Sequence, residues 1–181
     1  MQNIEVELKF KLPNEFIKEG ILNFLQENAT FQKETLQKDT YFTASHKDLF
    51  AQPVNKWLRI RETSKGNIFN YKELKGNYCE EYETKIENPA EMEKILLAVG
   101  VKPAIIINKT RKSFLYHDIE ISIDEVDKIG TFIELEMKGE YHSPKDAESQ
   151  LRELTKKLSL NKDRLDKKGY LRLALEQKEM I

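Results

Sequence analysis

The sequence has few of the features that mark secreted proteins, membrane-spanning proteins or proteins with a Cys/His metal cluster. It has one cysteine, Cys79, so no internal disulfide can form, and its three histidines are scattered. The N-terminus has no apolar segment of signal-peptide type, and nowhere do about 18 apolar residues follow one another. We therefore expect a cytoplasmic protein with no membrane partner.

Neither sign of charge is in large excess. The chain carries 30 Lys and Arg against 31 Asp and Glu, which argues against a general polyanion binder and hence against nucleic acid as a partner. A Walker loop ending in Gly-Lys-Ser/Thr is also missing, so that motif offers no cradle of backbone amides for phosphate. A phosphate site in this chain would have to be local and built from side chains.

The length of 181 residues fits one domain, which we expect to cover residues 1–181. Helical spacing and capping residues predict helices at 15–28, 90–99, 147–158 and 170–177. Alternation and β-forming residues predict strands at 4–10, 36–43, 57–61, 68–74, 79–86, 105–115, 120–124 and 132–138, with a loop over 46–53. Short links make neighbouring strands antiparallel, so a closed antiparallel barrel is the natural candidate.

The first strand has an alternating sequence. Glu5, Glu7 and Lys9 share one face, while Ile4, Val6, Leu8 and Phe10 share the other. The ordinary interpretation is a surface strand whose charged face meets water and whose apolar face covers the core.

Other predicted strands also carry charge pairs at a spacing of two. Arg59 and Arg61 share a face, as do Lys109 and Arg111, and as do Glu134 and Glu136. Each of these pairs carries charges of one sign, whereas a strand face in bulk water would be expected to carry both signs. Polar faces that point into a barrel would line it with carboxylates and cations, which suits a polyphosphate with a divalent metal.

The sequence pattern of the first strand recurs later in the chain. The segments 4–9 and 133–138 share the pattern Ile-Glu-x-Glu-x-Lys, and each precedes a capped amphipathic helix. A genuine pseudo-repeat and coincidence in a highly charged chain both remain open. We expect Lys138, the lysine of the second segment, to be a rim residue.

The pattern Glu-x-Glu-x-Lys is present as Glu5, Glu7 and Lys9. Further segments follow in order: Asp39-Thr40-Tyr41-Phe42, Lys47-Asp48-Leu49-Phe50, Leu58-Arg59-Ile60-Arg61, Tyr71-Lys72, Lys109-Thr110-Arg111, Ile123-Asp124 and Gly130 to Glu136. In this ordered set of segments the sequence resembles the CYTH superfamily, the triphosphate tunnel metalloenzymes, and most of all its class IV adenylyl cyclase branch.

The resemblance implies an α+β fold, an eight-stranded antiparallel β-barrel (triphosphate tunnel) with helices packed on the outside. It implies Mg²⁺ or Mn²⁺ as cofactor, held by Glu5, Glu7, Asp124, Glu134 and Glu136. It places triphosphate-binding bases at Lys9, Arg59, Arg61, Lys72, Lys109 and Arg111, all but Arg61 with a catalytic role. Members of this branch often form dimers, so a homodimer is allowed.

The resemblance further implies an adenylyl cyclase, a phosphorus–oxygen lyase that converts ATP to cyclic AMP and pyrophosphate. The alternatives are a hydrolase of inorganic, nucleoside or thiamine triphosphate with the same fold, and a noncatalytic polyphosphate-binding module. Two departures stand out: Tyr78 where the family often has arginine, and Gly169 where the cyclase branch has serine. Whether Glu81 and Glu83 or Glu80 points inward is open.

Overall fold

The computed structural model describes residues 4–43, 55–76 and 78–178, and within them it has nine β-strands and four α-helices. The strands are β1 (Ile4–Glu5), β2 (Glu7–Leu12), β3 (Thr30–Thr43), β4 (Lys56–Thr63), β5 (Gly66–Leu74), β6 (Cys79–Ile86), β7 (Lys102–Tyr116), β8 (Ile119–Val126) and β9 (Gly130–Met137). The helices are α1 (Glu15–Asn28), α2 (Pro89–Ala98), α3 (Pro144–Lys157) and α4 (Gly169–Gln177), with a 3₁₀ turn at Lys162–Arg164. The predicted loop over 46–53 lies outside the described residues.

The predicted helices are confirmed, and their start signals act as expected. The side chain of Asn14 accepts a hydrogen bond from Ile17 N at 3.1 Å, and that of Ser143 accepts one from Asp146 N at 3.1 Å. The strand predicted over 4–10 is instead interrupted at Val6, because β1 pairs with β6 while β2 pairs with β9. Strand β3 begins at Thr30 rather than at residue 36.

The chain divides into two compact units, and β3 and β7 each contribute residues to both. In the first unit, which includes residues 36–109 and 168–181, the strands follow the order β6-β5-β4-β3-β7. Its buried cluster of Phe42, Ile60 and Leu96 lies where α2 contacts β4. The expected single domain over 1–181 stays a prediction.

In the second unit, residues 5–35 and 110–167, the strands follow the order β3-β7-β8-β9-β2. Helices α1 and α3 contact β2, and α3 also contacts β9. The side chains buried on this side include Leu8, Phe10, Leu135 and Leu151. Because side chains alternate along a strand, Glu7, Lys9 and Glu134 lie on the opposite face of the sheet.

In the part of the chain that the structure describes, no helix is both long enough and apolar enough to cross a membrane.

Candidate active site

The second unit carries a group of ionisable side chains on the sheet face away from its helices. We call this group the carboxylate cluster: Glu5, Glu7, Lys9, Arg111, Glu120, Asp124, Glu134, Glu136 and Lys138. Cross-strand register brings its members together, since Glu7 lies opposite Glu136 and Lys9 opposite Glu134 on β2 and β9. On β8, Glu120 lies opposite Glu136 and Ser122 opposite Glu134.

Lys9 contacts glutamates on two strands, β2 and β9. Its Nζ lies 3.2 Å from Glu7 Oε1 and 3.4 Å from Glu134 Oε2. Burial by itself lowers the pKa of Lys9, but the charges of Glu7, Glu134 and Asp166 outweigh it and hold that pKa well above its usual range. Lys9 is therefore a permanent cation in this cluster.

Arg111 and Asp124 form a buried two-bond ion pair. The guanidinium Nε and Nη2 of Arg111 donate to the two carboxylate oxygens of Asp124 at 2.7 and 2.6 Å. Arg111 Nη2 also lies 3.0 Å from Glu134 Oε2. Such a planar fork fixes the guanidinium group in one orientation. Glu134 thus lies between Lys9 and Arg111.

Lys138 makes the same kind of contact as Lys9, two residues after a glutamate. Its Nζ lies 2.5 Å from Glu136 Oε1. Burial lowers the pKa of Lys138, and the charge and hydrogen bond of Glu136 and the charges of Glu120 and Glu5 outweigh it, so the net shift is upward. Both lysines of the repeated sequence pattern therefore neutralise the glutamate two positions before them.

The carboxylate cluster suits a hard divalent cation in the chemistry of its donors. Glu7, Glu136 and Glu120 form a row across three adjacent strands. Like charges directly opposite each other destabilise a sheet unless cations neutralise them, and Mg²⁺ and Mn²⁺ prefer carboxylate oxygens. As placed, no three His, Cys, Asp or Glu side chains among the described residues could hold a metal ion. A cation bound there would compete with the ammonium groups of Lys9 and Lys138, which contact Glu7 and Glu136.

The first unit carries a second group, which we call the arginine cluster: Asp39, Arg59, Arg61, Asn70, Lys72, Glu81 and Lys109. Asp39, which is fully buried, accepts two hydrogen bonds of 2.7 Å from Nε and Nη2 of Arg61 and lies 3.5 Å from Nη1 of Arg59. Burial raises the pKa of Asp39, but Arg61 and Arg59, and more weakly Lys109, outweigh it, and the net shift is strongly downward. Asp39 is thus the counter-ion that lets two arginines share one strand face.

Strands β5 and β6 supply the other side chains of the arginine cluster. Asn70 Nδ2 donates to Glu81 Oε1 at 2.6 Å, and Lys72 Nζ lies 3.2 Å from Glu81 Oε2. Glu83 is exposed and Glu80 lies 3.9 Å from Lys75. The question left open by the sequence is therefore answered in favour of Glu81.

Two polar atoms of the arginine cluster are buried without a hydrogen-bond partner, Nε of Arg59 and Oδ1 of Asn70. The two residues lie opposite each other on β4 and β5. A buried donor or acceptor left unpaired costs about 1–3 kcal/mol. Such groups are normally paired, and a bound water or ligand would remove the penalty.

Lys109 contacts the beginning of α4. Its Nζ lies 4.8 Å from the ring centroid of Tyr170, and both side chains are buried. This is a cation–π contact with a desolvated ammonium group. Helix α4 begins at Gly169, and Lys168 before it gives no side-chain cap.

Comparisons with known proteins identify the family of this chain. The model of the CYTH domain matches residues 3–170. The chain belongs to the CYTH domain family. A Methanocaldococcus jannaschii protein named "Putative adenylate cyclase" is 34% identical over 177 residues, which cover 94% of this chain and 98% of that protein.

Solved structures share the CYTH fold. A protein of Pyrococcus horikoshii OT3 superposes with a TM-score of 0.81 at 26% identity, covering 96% of this chain and 99% of its own. A Hippeastrum adenylyl cyclase candidate, described as having a dominant triphosphatase activity, matches with a TM-score of 0.65 at 19% identity, covering 98% and 96%. The predicted fold class, an antiparallel barrel with helices, is confirmed, with nine strands among the described residues instead of the expected eight.

The predicted site residues of this CYTH domain fall into the two clusters. Glu5, Glu7, Lys9, Arg111, Asp124, Glu134 and Glu136 belong to the carboxylate cluster, and Arg59, Arg61, Lys72 and Lys109 to the arginine cluster. Their roles in binding metal and triphosphate stay predictions.

Sequence reasoning gave no role to four residues that the clusters contain: Asp39, Asn70, Glu81 and Glu120. Spacing offered a signal for two of them, because Asn70 and Lys72 share a face, as do Glu120 and Asp124. Asp39 stands inside one of the matching segments, but only the register of β3 with β4, which places it opposite Arg61, shows its function as counter-ion.

Proposed function

We propose that this CYTH domain is a metal-dependent adenylyl cyclase that converts ATP to cyclic AMP and pyrophosphate. The observation that carries the proposal is the register of β2 with β9, which sets Glu7 against Glu136 and Lys9 against Glu134. Carboxylates and a permanent cation at adjacent positions offer a metal–polyphosphate complex partners of both signs. The choice of cyclase is supported by the name of the Methanocaldococcus jannaschii relative.

In this proposal the bases predicted from the sequence bind phosphate oxygens: Lys9, Arg59, Arg61, Lys72, Lys109 and Arg111. Arg59 and Arg61 bind phosphate oxygens through the N–H groups that Asp39 leaves available, since a guanidinium has five donors. Lys9 and Lys72 supply compact positive charges for phosphate oxygens. Because Asp39, Glu81 and Glu134 hold these bases in place, little side-chain freedom is lost when the ligand binds.

The cyclase reaction forms one bond and breaks one. The ribose 3′-oxygen bonds to the α-phosphorus, the bond from that phosphorus to the oxygen that bridges to the β-phosphate breaks, and pyrophosphate leaves as the hydroxyl proton is released. A bound Mg²⁺ or Mn²⁺ would lower the pKa of the hydroxyl and neutralise charge on the leaving group. Glu5, Glu7, Asp124, Glu134 and Glu136 are the residues that would hold it. The bases neutralise charge that develops on the phosphoryl oxygens.

A triphosphatase is the second candidate, and the activity described for the Hippeastrum protein favours it. In that reaction the oxygen of water bonds to the terminal phosphorus, the bond from that phosphorus to the bridging oxygen breaks, and the diphosphate leaves while the terminal phosphorus becomes orthophosphate. The same bases and carboxylates serve both reactions, because the difference lies in which phosphorus faces the nucleophile.

Product analysis separates these candidates. Purified protein is incubated with ATP and Mn²⁺ or Mg²⁺, and the nucleotides and phosphates are identified by chromatography and mass spectrometry. We expect cyclic AMP and pyrophosphate in equal amounts. Orthophosphate without cyclic AMP would reject the cyclase and support the triphosphatase.

Matched variants test for a noncatalytic binding module. Glu136→Gln removes one carboxylate of the cluster, and we expect it to lower turnover about 100-fold, in the range found when one group that stabilises developing charge is lost. Glu153→Gln on α3 changes an exposed glutamate paired with Lys156 at 2.6 Å, and it is the control. Equal turnover in Glu136→Gln, Glu153→Gln and wild type would favour the binding module.

A further inference from the structure

The two Glu-x-Glu-x-Lys segments are antiparallel neighbours with a symmetric register. Glu7 lies opposite Glu136 and Lys9 opposite Glu134. A hydrogen bond of 3.1 Å from Met137 N to Val6 O continues the register by one residue. An antiparallel pair has a local two-fold axis, and here it passes between Glu7 and Glu136. Lys138 is therefore the symmetry equivalent of Lys9.

The two lysines differ in how accessible they are. The side chain of Lys9 is 11% exposed and that of Lys138 is 44% exposed. Lys138 lies on the same strand face as Glu136, its partner, and the charges of Glu120 and Glu5 also act on its ammonium group. A dissolved anion can therefore reach Lys138 without any change in the sheet.

The charge of the carboxylate cluster makes Lys138 important for an anionic ligand. The cluster contains six carboxylates and three bases, so it repels phosphate unless cations are added. A divalent cation on Glu136 would compete with the ammonium of Lys138 for the same carboxylate. Once that ion pair is weakened, the ammonium group is available to a phosphate oxygen close to the cation.

We propose that Lys138 binds the phosphate chain of the substrate at the end distant from Lys9. This inference rests on the proposed function and adds to it a phosphate-binding residue, Lys138, that we expected at the rim. Lys138 directly follows β9, four residues after Glu134, which lies opposite Lys9. At the rise of a β-strand the two lysine backbones are therefore about 13 Å apart. A long phosphate chain contacts both lysines, whereas a shorter one contacts only one.

Isothermal titration calorimetry tests the proposal with ligands that resist hydrolysis, diimidotriphosphate and imidodiphosphate, in excess Mg²⁺. We expect Lys138→Gln to bind diimidotriphosphate about tenfold more weakly, as for the loss of one charge-assisted hydrogen bond, with imidodiphosphate affinity changed less than about twofold. Lys138→Arg keeps the cation and should retain most of the affinity. Lys145→Gln, at an exposed position of α3, is the control.

The contrary outcomes are distinct. If Lys138 only forms an exposed ion pair with a structural role, Lys138→Gln and Lys145→Gln should bind both ligands with the same affinity. That result would overturn the proposal. Equal losses for the two ligands would overturn the placement of Lys138 at the far end of the chain. The variant Lys9→Gln separates the role of Lys138 from the proposed function. If Lys9→Gln loses binding and Lys138→Gln binds fully, only the role of Lys138 is rejected. A wild-type protein that binds neither ligand rejects the proposed function as well.

Discussion

At the scale of single residues, the arginine cluster depends on one fully buried carboxylate. Asp39 holds Arg61 through two hydrogen bonds and lies 3.5 Å from Arg59, and the side chains of both arginines are less than 15% exposed. Removing one partner of a buried ion pair leaves charge without compensation, which costs far more than the pair contributes. Asp39 is therefore a structural requirement for two residues expected to bind phosphate.

We expect Asp39→Asn to lower the free energy of unfolding by about 3 kcal/mol at pH 7, because two buried guanidinium groups lose their counter-ion. Urea denaturation measures this. Glu62→Gln is the matched control on the adjacent strand, since Glu62 forms an exposed ion pair with Lys38 at 2.8 Å and should contribute less than about 0.5 kcal/mol. Equal stabilities of the two variants would contradict the role of Asp39.

The same comparison has a defined pH dependence. The folded state lowers the pKa of Asp39 below its ordinary value of 3.8, so the carboxylate adds stability above that value and loses it as the pH falls toward the folded pKa. The difference between wild type and Asp39→Asn should be constant from pH 7 to pH 5. At pH 3 it should be smaller by about 1 kcal/mol, because the unfolded carboxyl is then mostly protonated.

At the scale of elements, sequence reasoning succeeded where the signal is local. The caps at Asn14 and Ser143 and the alternation of β2 predicted both the elements and the faces that they present. Sequence reasoning failed where the bounds of a strand depend on its pairing with another strand. The interruption at Val6 and the start of β3 at Thr30 depend on which strand is the neighbour, and residues 30–34 are exposed and mostly polar, so no alternation marks them.

For the same reason, the sequence could not predict which side chains contact each other within the clusters. Spacing put Lys72 and Glu81 on charged faces of separate strands, but the register of β5 with β6 brings them together, and it is a property of the folded sheet. The family resemblance supplied residue roles. It could not supply chain-specific neighbours such as Glu120, which lies opposite Glu136.

Helix α3 gives a test of the local signals. Ser143 caps the helix that packs on β2 and β9, so we expect Ser143→Ala to lower the free energy of unfolding by about 1 kcal/mol, with Ser143→Asp close to wild type because a carboxylate also accepts the hydrogen bond. Ser64→Ala, in an exposed turn, is the control. A loss in Ser143→Asp as large as in Ser143→Ala would argue against capping.

At the scale of the whole molecule, the charges are nearly balanced but unevenly distributed. Lys and Arg number 30 against 31 Asp and Glu, so long-range attraction does not draw polyanions to the surface in general. Local clusters have fixed counter-ions instead, with Asp39, Asp124 and Glu134 each contacting an arginine. Binding of phosphate chains should therefore depend on local geometry and on added divalent cations, not on net charge.

Thermal unfolding tests this distinction on the intact chain. At about 100 times its dissociation constant, diimidotriphosphate with Mg²⁺ should stabilise the folded state by about 2.7 kcal/mol. For a chain of this size, that stabilisation raises Tm by roughly 5–10 °C. Orthophosphate and duplex DNA should change Tm by less than about 1 °C, because neither matches the clusters. Glu136→Gln should lose the part of the shift that requires Mg²⁺, and Glu153→Gln should keep it. A rise in Tm with DNA equal to that with diimidotriphosphate would mean that charge alone, without the register of β2 and β9, attracts the polyanion.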